Sequence, residues 1–150
     1  MRWIFADANG WIALNSKRDQ LHDTAIKINK ELLQNGHRYV TTNFVLDETY
    51  TGLLMKIGHF AAVDFGERIR IARTVQIIRV TEDIEKDAWE LFKQYYDKDF
   101  SFTDCTSFIV MRQMNLLEAF TNDHHFEQMG FTVLLDTLSS GGKRIENHQT

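Results

Sequence analysis

Five short runs of apolar and β-branched residues alternate along the chain with longer segments in which apolar residues recur at helical spacing. The short runs are continuously apolar, which is typical of strands buried on both faces of a parallel sheet. Alternation of strands and helices predicts an α/β/α sandwich, with a four- or five-stranded parallel sheet flanked by helices. The predicted strands are residues 3–6, 39–42, 76–80, 117–121 and 131–135, and the predicted helices are 9–14, 24–33, 44–57, 61–74, 82–96, 103–115 and a short one near Phe126.

The pattern contains no break long enough to be a linker and no internal repeat. It ends near Asp136, after which polar residues dominate. The predicted organisation is therefore one domain over residues 1–136 and a polar C-terminal tail over residues 137–150.

Composition narrows the class of protein. A chain of 150 residues that is 43% hydrophobic is enough for one sizeable core. The lone Cys105 cannot form an intramolecular disulfide, the first apolar run is interrupted early by Asp7, and no run reaches the ~20 residues of a membrane span. We therefore expect a cytoplasmic protein without a membrane partner. A net charge of -4 argues against broad adhesion to nucleic acid but leaves room for RNA held through cations.

Four acidic residues are predicted to meet at one edge of the sheet. Asp7 closes the first strand and Asp123 follows the fourth, while Glu48 and Asp104 lie early in helices that begin near the same edge. The carboxyl ends of parallel strands share one edge, where ligands bind at the point at which strand order reverses. The pattern thus favours a single acidic site.

Each acid also has a structural interpretation. Asp7 would serve as the N-cap of the helix that follows it. Ser101 and Asp104 have the spacing of a capping box, and Asp123 has the setting of a turn or N-cap residue. For Asp104 and Asp123 taken singly, capping is the better interpretation, so the case for a site depends on the set of four.

Glu48 differs from its neighbour Asp47. If Asn43 caps the helix, Asp47 lies near the first turn, where the helix dipole favours a carboxylate. Glu48 falls instead on an otherwise apolar stripe with Val45 and Met55. A carboxylate there needs a partner, and no Lys or Arg lies within one turn of it. A bound metal ion is one such partner.

Converging carboxylates predict a divalent cation. Two of them ~4 Å apart repel by ~4 kcal/mol at an effective dielectric of 20. Oxygen donors suit Mg²⁺ or Mn²⁺ and argue against structural zinc. Such ions activate water and stabilise the leaving oxygen in phosphodiester hydrolysis, which points to a nuclease.

The acidic blocks resemble those of PIN domains, and most resemble the toxins of VapBC-type toxin–antitoxin modules. That resemblance implies a Mg²⁺- or Mn²⁺-dependent endoribonuclease, a homodimer and inhibition by a cognate antitoxin. It implies that Asp7, Glu48, Asp104 and Asp123 are the catalytic metal ligands, and that Thr121 supports them by hydrogen bonding. The blocks are Phe5-Ala6-Asp7 with Trp11-Ile12-Ala13-Leu14, Thr42-Asn43 to Glu48-Thr49-Tyr50, Ser101-Phe102-Thr103-Asp104, and Thr121-Asn122-Asp123-His124-His125-Phe126.

One position departs from the family pattern. Thr or Ser commonly follows the first acid, whereas this chain has Ala8 and then Asn9. A hydrogen bond to the first acid is either lost or supplied by Asn9, and this bears on fine mechanism more than on class.

Other residues have weaker signals. The arginines 68, 70, 73 and 79 would form an RNA-positioning patch or simply a solvated face. Of His124 and His125, one is expected at the surface and the other packed, with a role in proton transfer as the alternative. Cys105 lacks nearby activating bases and is interpreted as packing. The aromatic residues Trp89, Phe92, Tyr95 and Tyr96 indicate core or a subunit interface rather than a base-stacking platform.

Three rival functions stay open at this point. An aspartate-dependent phosphatase or receiver domain would usually have Asp at position 9 and would not explain Glu48. A housekeeping PIN nuclease shares the same acids. A PIN-like binding module that has lost catalysis is disfavoured by the presence of all four acids. If an antitoxin binds, we expect one of its basic residues to occupy the acidic pocket.

Overall fold

A computed structural model describes residues 1–136, so the predicted tail over 137–150 lies outside the described residues. Within these residues the chain alternates strands and helices as the pattern predicts, and most boundaries agree within two residues. In chain order the elements are β1 (Trp3–Ala6), α1 (Ala8–Asn15), α2 (His22–Gln34), β2 (Arg38–Thr42), α3 (Asn43–Lys56), α4 (His59–Ile71), β3 (Val75–Ile78), α5 (Glu82–Gln94), α6 (Phe102–Gln113), β4 (Glu118–Phe120), α7 (His124–Gln128) and β5 (Thr132–Val133).

The five strands form one parallel sheet in the order β3-β2-β1-β4-β5. The chain moves outward from β1 to β2 and β3, then returns to the other side of β1 to form β4 and β5. Strand order therefore reverses between β1 and β4, which lie side by side in the centre. A ligand site is expected outside the carboxyl ends of these two strands.

Right-handed crossovers place α1 to α4 on one face of the sheet and α5 to α7 on the other. Ring contacts agree with this division. Trp11 of α1 packs against Tyr39 and Phe120 of the sheet, whereas Phe126 of α7 packs against Phe5 and against α6. The predicted α/β/α sandwich with a parallel sheet is confirmed.

Helix α1 lies unusually close to the centre of the sheet. A Cβ atom added to Gly10 would lie 2.0 Å from the carbonyl oxygen of Phe120. Only glycine permits this approach, since any larger residue would push α1 away from β4. The first helix, and with it the preceding Asp7, is thereby fixed against the strand that leads to Asp123.

Helix α3 begins one residue earlier than the sequence suggests. Thr42, rather than Asn43, is its N-cap, and the Thr42 hydroxyl accepts a hydrogen bond from the Val45 amide at 3.0 Å. The predicted cap Asn43 instead accepts from the Val80 amide at 2.7 Å. Asn43 thus joins the start of α3 to the segment after β3, at the edge of the sheet where the acids lie.

Residues 1–136 contain no helix that combines the length and the apolarity needed to cross a bilayer.

Candidate metal centre

Asp7 is the most buried of the four acids, with 4% of its surface exposed. It occupies the N-cap position of α1, yet its side chain makes no capping hydrogen bond, so the capping interpretation does not explain it. Burial, followed by the negative charges of Asp104 and Glu48, raises the pKa of Asp7 to about 7. The Ala8 amide and the Thr121 hydroxyl oppose this shift only partly. A carboxylate in such a place is stable only if a cation accompanies it.

Thr121 supports Asp7 as the sequence suggests. Its hydroxyl is 3.0 Å from Asp7 Oδ2 and 2.7 Å from Asn9 Oδ1. Because the hydroxyl carries a single hydrogen, it donates to one of these two acceptors at a time. Asn9 accepts from the Asn122 amide as well, at 3.0 Å, and its side-chain amide contacts Asn122 Oδ1. Asn9 therefore braces Thr121 and the loop after β4 instead of bonding to Asp7.

Asp104 combines two roles that the sequence presents as alternatives. Ser101 and Asp104 form the predicted capping box, with both hydrogen bonds at 3.0 Å. The same carboxyl group is buried, and burial together with the charge of Asp123 raises its pKa against the opposing effects of Ser101 and His125. Because the cap occupies Oδ2, the other oxygen of Asp104 is available to a ligand.

Asp123 likewise caps a helix and belongs to the acidic cluster. Its Oδ1 accepts from the His125 amide at 2.9 Å and caps α7, while its amide donates to Thr121 at 3.1 Å. Asp104, Asp123 and the imidazole of His125 each offer a ligand atom, and these three atoms lie within 4.8 Å of one another. This is the tightest part of the acidic cluster.

Glu48 joins the cluster from α3, but the reason given from the sequence is wrong. Val45 on the apolar stripe is buried, but Met55 is 79% exposed and Glu48 itself is an exposed residue, so the stripe does not bury Glu48. Partial desolvation, followed by the charges of Asp104, Asp123 and Asp47, nevertheless raises the pKa of Glu48. The charge of Glu48 likewise raises the pKa of Asp7. Glu48 therefore lies at the open side of the cluster, where solvent enters.

The donor set fits a divalent cation. Neighbouring carboxylates help to raise the pKa of Asp7, Glu48 and Asp104, so the cluster needs a counter-charge, and its oxygens match the preference of Mg²⁺ and Mn²⁺. The buried Nδ1 atom of His125 has no hydrogen-bond partner within residues 1–136 and lies beside two of these carboxylates. The sequence left His125 uncommitted between packing and proton transfer, because adjacent histidines give no sign of which one turns inward. His124 is the surface residue of the pair and contacts Glu127.

The four arginines of the suggested RNA patch do not lie together. Arg73 lies at the amino edge of the sheet, where its carbonyl accepts from Arg38 at the start of β2. Arg68 and Arg70, in the last turn of α4, hydrogen-bond to neighbouring groups. Arg79 alone among the four directly follows the carboxyl end of a strand, β3, and so shares the edge with the acids.

Most of the aromatic residues on α5 and directly after it are not core. Trp89 is 53% exposed, and Phe92 and Tyr96 are exposed as well, while Tyr95 packs on Phe100. The interpretation as core is therefore wrong for three of the four. Phe102, two residues before Asp104, contacts Trp89 and Phe92, so this aromatic face borders the acidic cluster.

Cys105 is fully buried, and burial, together with the charge of Asp104, raises the pKa of its thiol to about 11. It is a packing residue, as expected.

Comparison with known proteins identifies relatives along most of this chain. The PIN domain family model matches residues 4–132. The chain is 39% identical over 129 residues to the "23S rRNA-specific endonuclease VapC20" of Mycobacterium tuberculosis strain H37Rv, a match that covers 85% of this chain and 95% of that protein. A "VapC ribonuclease" of Archaeoglobus fulgidus is 36% identical over 80 residues, or 53% of this chain and 50% of that protein.

Solved structures agree on the fold. The crystal structure of Mycobacterium tuberculosis VapC20, described as a sarcin–ricin loop cleaving toxin, superposes with a TM-score of 0.77 at 37% identity and covers 86% of this chain and 96% of that one. VapBC2 from Rickettsia felis, solved on a DNA fragment of its promoter, gives a TM-score of 0.65 at 15% identity over 89% of this chain and 97% of that one. The second likeness concerns the fold alone.

Proposed function

This chain belongs to the PIN domain family, and on that premise we propose that it is a metal-dependent endoribonuclease that acts as the toxin of a toxin–antitoxin pair. The observation that carries the proposal is the convergence of Asp7, Glu48, Asp104 and Asp123, from four separate parts of the chain, on the edge of the sheet where strand order reverses. Relatives named as ribonucleases support the reaction class.

Some residues of the cluster would bind the ion, and others fix the orientation of those ligands. Asp7, Asp104 and Asp123 would hold Mg²⁺ or Mn²⁺ with Glu48 at the open side, and Thr121 fixes the orientation of Asp7. The two caps fix one oxygen each of Asp104 and Asp123, which leaves the other oxygen pre-positioned. When bound, the ion supplies an activated water and stabilises the charge that develops on the leaving oxygen.

Negative charge explains why this chain would need a cation in order to bind its substrate. Four carboxylates repel a phosphodiester, so RNA approaches only when the cluster is neutralised. Glu48, the exposed member, lies where RNA would enter, and Arg79 on the same edge is placed to hold a flanking phosphate.

The substrate class follows from the similarity to VapC20, which spans 95% of that protein. We propose that the substrate is 23S rRNA within the ribosome. Purified chain incubated with ribosomes and Mn²⁺ should give one defined cleavage, mapped by primer extension, which is lost with EDTA and in Asp7→Asn. Cleavage of other RNA but not of ribosomes would refute the proposed substrate and leave the nuclease activity standing. That result would also favour a housekeeping enzyme. No cleavage by the parent chain under any metal would leave the alternative of a binding module.

Two partners complete the proposal. A cognate antitoxin would insert a basic side chain into the acidic cluster and replace the cation. The exposed aromatic face with Trp89 and Phe92 would pair two copies of the chain in a homodimer. Light scattering of the parent and of Trp89→Asp measures the mass of the proposed homodimer, and we expect the variant to be a monomer.

A further inference from the structure

His125 presents a nitrogen atom among the carboxylate oxygens of the metal centre. Its Nδ1 lies 3.2 Å from Asp123 Oδ1 and 3.4 Å from Asp104 Oδ2. Adjacent ligands of an octahedral ion with bonds of ~2.1 Å are ~3.0 Å apart. Nδ1 is therefore at ligand spacing from both carboxylate groups. The two oxygens measured here each accept one cap hydrogen bond, and a carboxylate oxygen has a second lone pair that can bind an ion, as can the uncapped oxygen of each group.

The direction of the ring agrees with this spacing. Both distances are short enough for a hydrogen bond, but Nδ1 is not aligned for one with either carboxylate, and this buried atom has no hydrogen-bond partner in the described part of the chain. A histidine that merely paired with an acid would point an N–H group at one oxygen. The edge-on contact of the ring with Phe100, at 5.4 Å, holds it in this orientation.

We propose that His125 is a direct ligand of the metal and that it makes the site select Mn²⁺ over Mg²⁺. The inference rests on the proposed metal-dependent function. Mg²⁺ takes oxygen ligands and keeps its waters, whereas imidazole favours first-row transition ions. Among these, Mn²⁺ retains the affinity for carboxylates that the rest of the site requires. One nitrogen among several oxygens thus changes which ion binds best.

The adjacent His124 provides a matched control. It carries the same imidazole one residue away, but it is exposed and contacts Glu127 rather than Asp104 or Asp123. His125→Asn removes the imidazole and keeps the backbone amide that caps α7, and His124→Asn makes the same chemical change outside the cluster.

The test measures metal binding without any cleavage assay. Pulsed EPR of Mn²⁺ bound to the full chain should show the modulation of a coordinated ¹⁴N nucleus, and this signal should disappear in His125→Asn and persist in His124→Asn. Calorimetric titration with each ion alone should show Mn²⁺ affinity at least about tenfold lower in His125→Asn, with Mg²⁺ affinity within about threefold of the parent. Circular dichroism and thermal melts establish that both variants fold.

The outcomes separate this inference from the proposed function. Tight Mn²⁺ binding without a ¹⁴N signal in the parent chain would overturn His125 as a ligand and leave the metal-dependent function standing. An equal loss of affinity for both ions in His125→Asn would overturn the selectivity. Failure of the parent to bind either ion would count against the metal-dependent function itself.

Discussion

Replacing Asp7 with asparagine should stabilise the metal-free protein at neutral pH, by an amount that shrinks as the pH falls. Folding raises the pKa of Asp7 from 3.8 to about 7, mainly through burial. The folded state therefore holds a proton that the unfolded state releases between these two values, and stability falls as the pH rises through that window. Each tenfold change in proton affinity is worth ~1.4 kcal/mol, so the ionised group costs up to ~4 kcal/mol above pH 7.

The asparagine variant recovers most of this cost. Its side-chain oxygen still accepts from Thr121, while its new amide group needs partners among the neighbouring carboxylates. An imperfectly paired amide gives back ~1 kcal/mol, which leaves an expected gain of ~2 to 3 kcal/mol at pH 8. Below pH 4, where Asp7 is protonated in both the folded and the unfolded state, the gain should vanish.

Urea unfolding of the parent and Asp7→Asn in EDTA, at intervals between pH 4 and pH 8.5, measures the difference directly. Asp87→Asn, on the exposed surface of α5, should stay within ~0.5 kcal/mol of the parent at every pH. Mn²⁺ at about 1,000-fold excess over the dissociation constant should reverse the order, because it adds ~4.1 kcal/mol to the protein that binds it, more than the gain in the variant. A variant less stable than the parent at pH 8, or a gain that does not shrink toward pH 4, would refute the argument from burial.

Three further outcomes follow from particular contacts. Both Asp104→Asn and Asp104→Ala should abolish RNA cleavage. In EDTA the free energy of unfolding of the alanine variant should be ~1 kcal/mol lower than that of the asparagine variant, because only asparagine keeps an acceptor for the capping box. Arg79→Ala should weaken RNA binding and reduce its salt slope by about one, measured by filter binding with an inactive background, whereas Arg73→Ala at the opposite edge should not. Gly10→Ala should cost ~3 kcal/mol or more in urea unfolding, because the added methyl group would meet the Phe120 carbonyl.

The layout of the sheet could be predicted from the sequence because the apolar pattern of the strands and their alternation with helices indicate the same fold. Continuous apolar runs mark strands buried on both faces, and the alternation with helices fixes a parallel sheet. From that alone, the residues after β1 and β4 had to share an edge with the starts of α3 and α6. Asp7, Asp104 and Asp123 came together for this reason.

What failed depended on exposure and on side-chain direction. The sequence argument for Glu48 is that its helical stripe is apolar, yet Met55 on that stripe is exposed, so that argument does not hold and Glu48 stays a prediction. The aromatic face of α5 has the spacing of a core helix, and only the packed structure shows Trp89 at the surface. His125 could not be separated from His124, because the direction of each ring depends on the short helix α7 and on Phe100.

Asp104 and Asp123 each have a structural role and a role in the acidic cluster, and this affects which mutations can inactivate the protein without unfolding it. Each of these carboxylates holds a helix terminus as well as a corner of the acidic cluster, so most replacements cost fold stability along with activity. Asp7 caps nothing, and Glu48 is exposed, so both can be lost while the fold stays intact. If the chain is toxic to its host, escape mutants that still accumulate folded protein should therefore concentrate at positions 7 and 48. Substitutions at 104 and 123 other than asparagine, which keeps a capping oxygen, should instead be recovered more often as degraded chains.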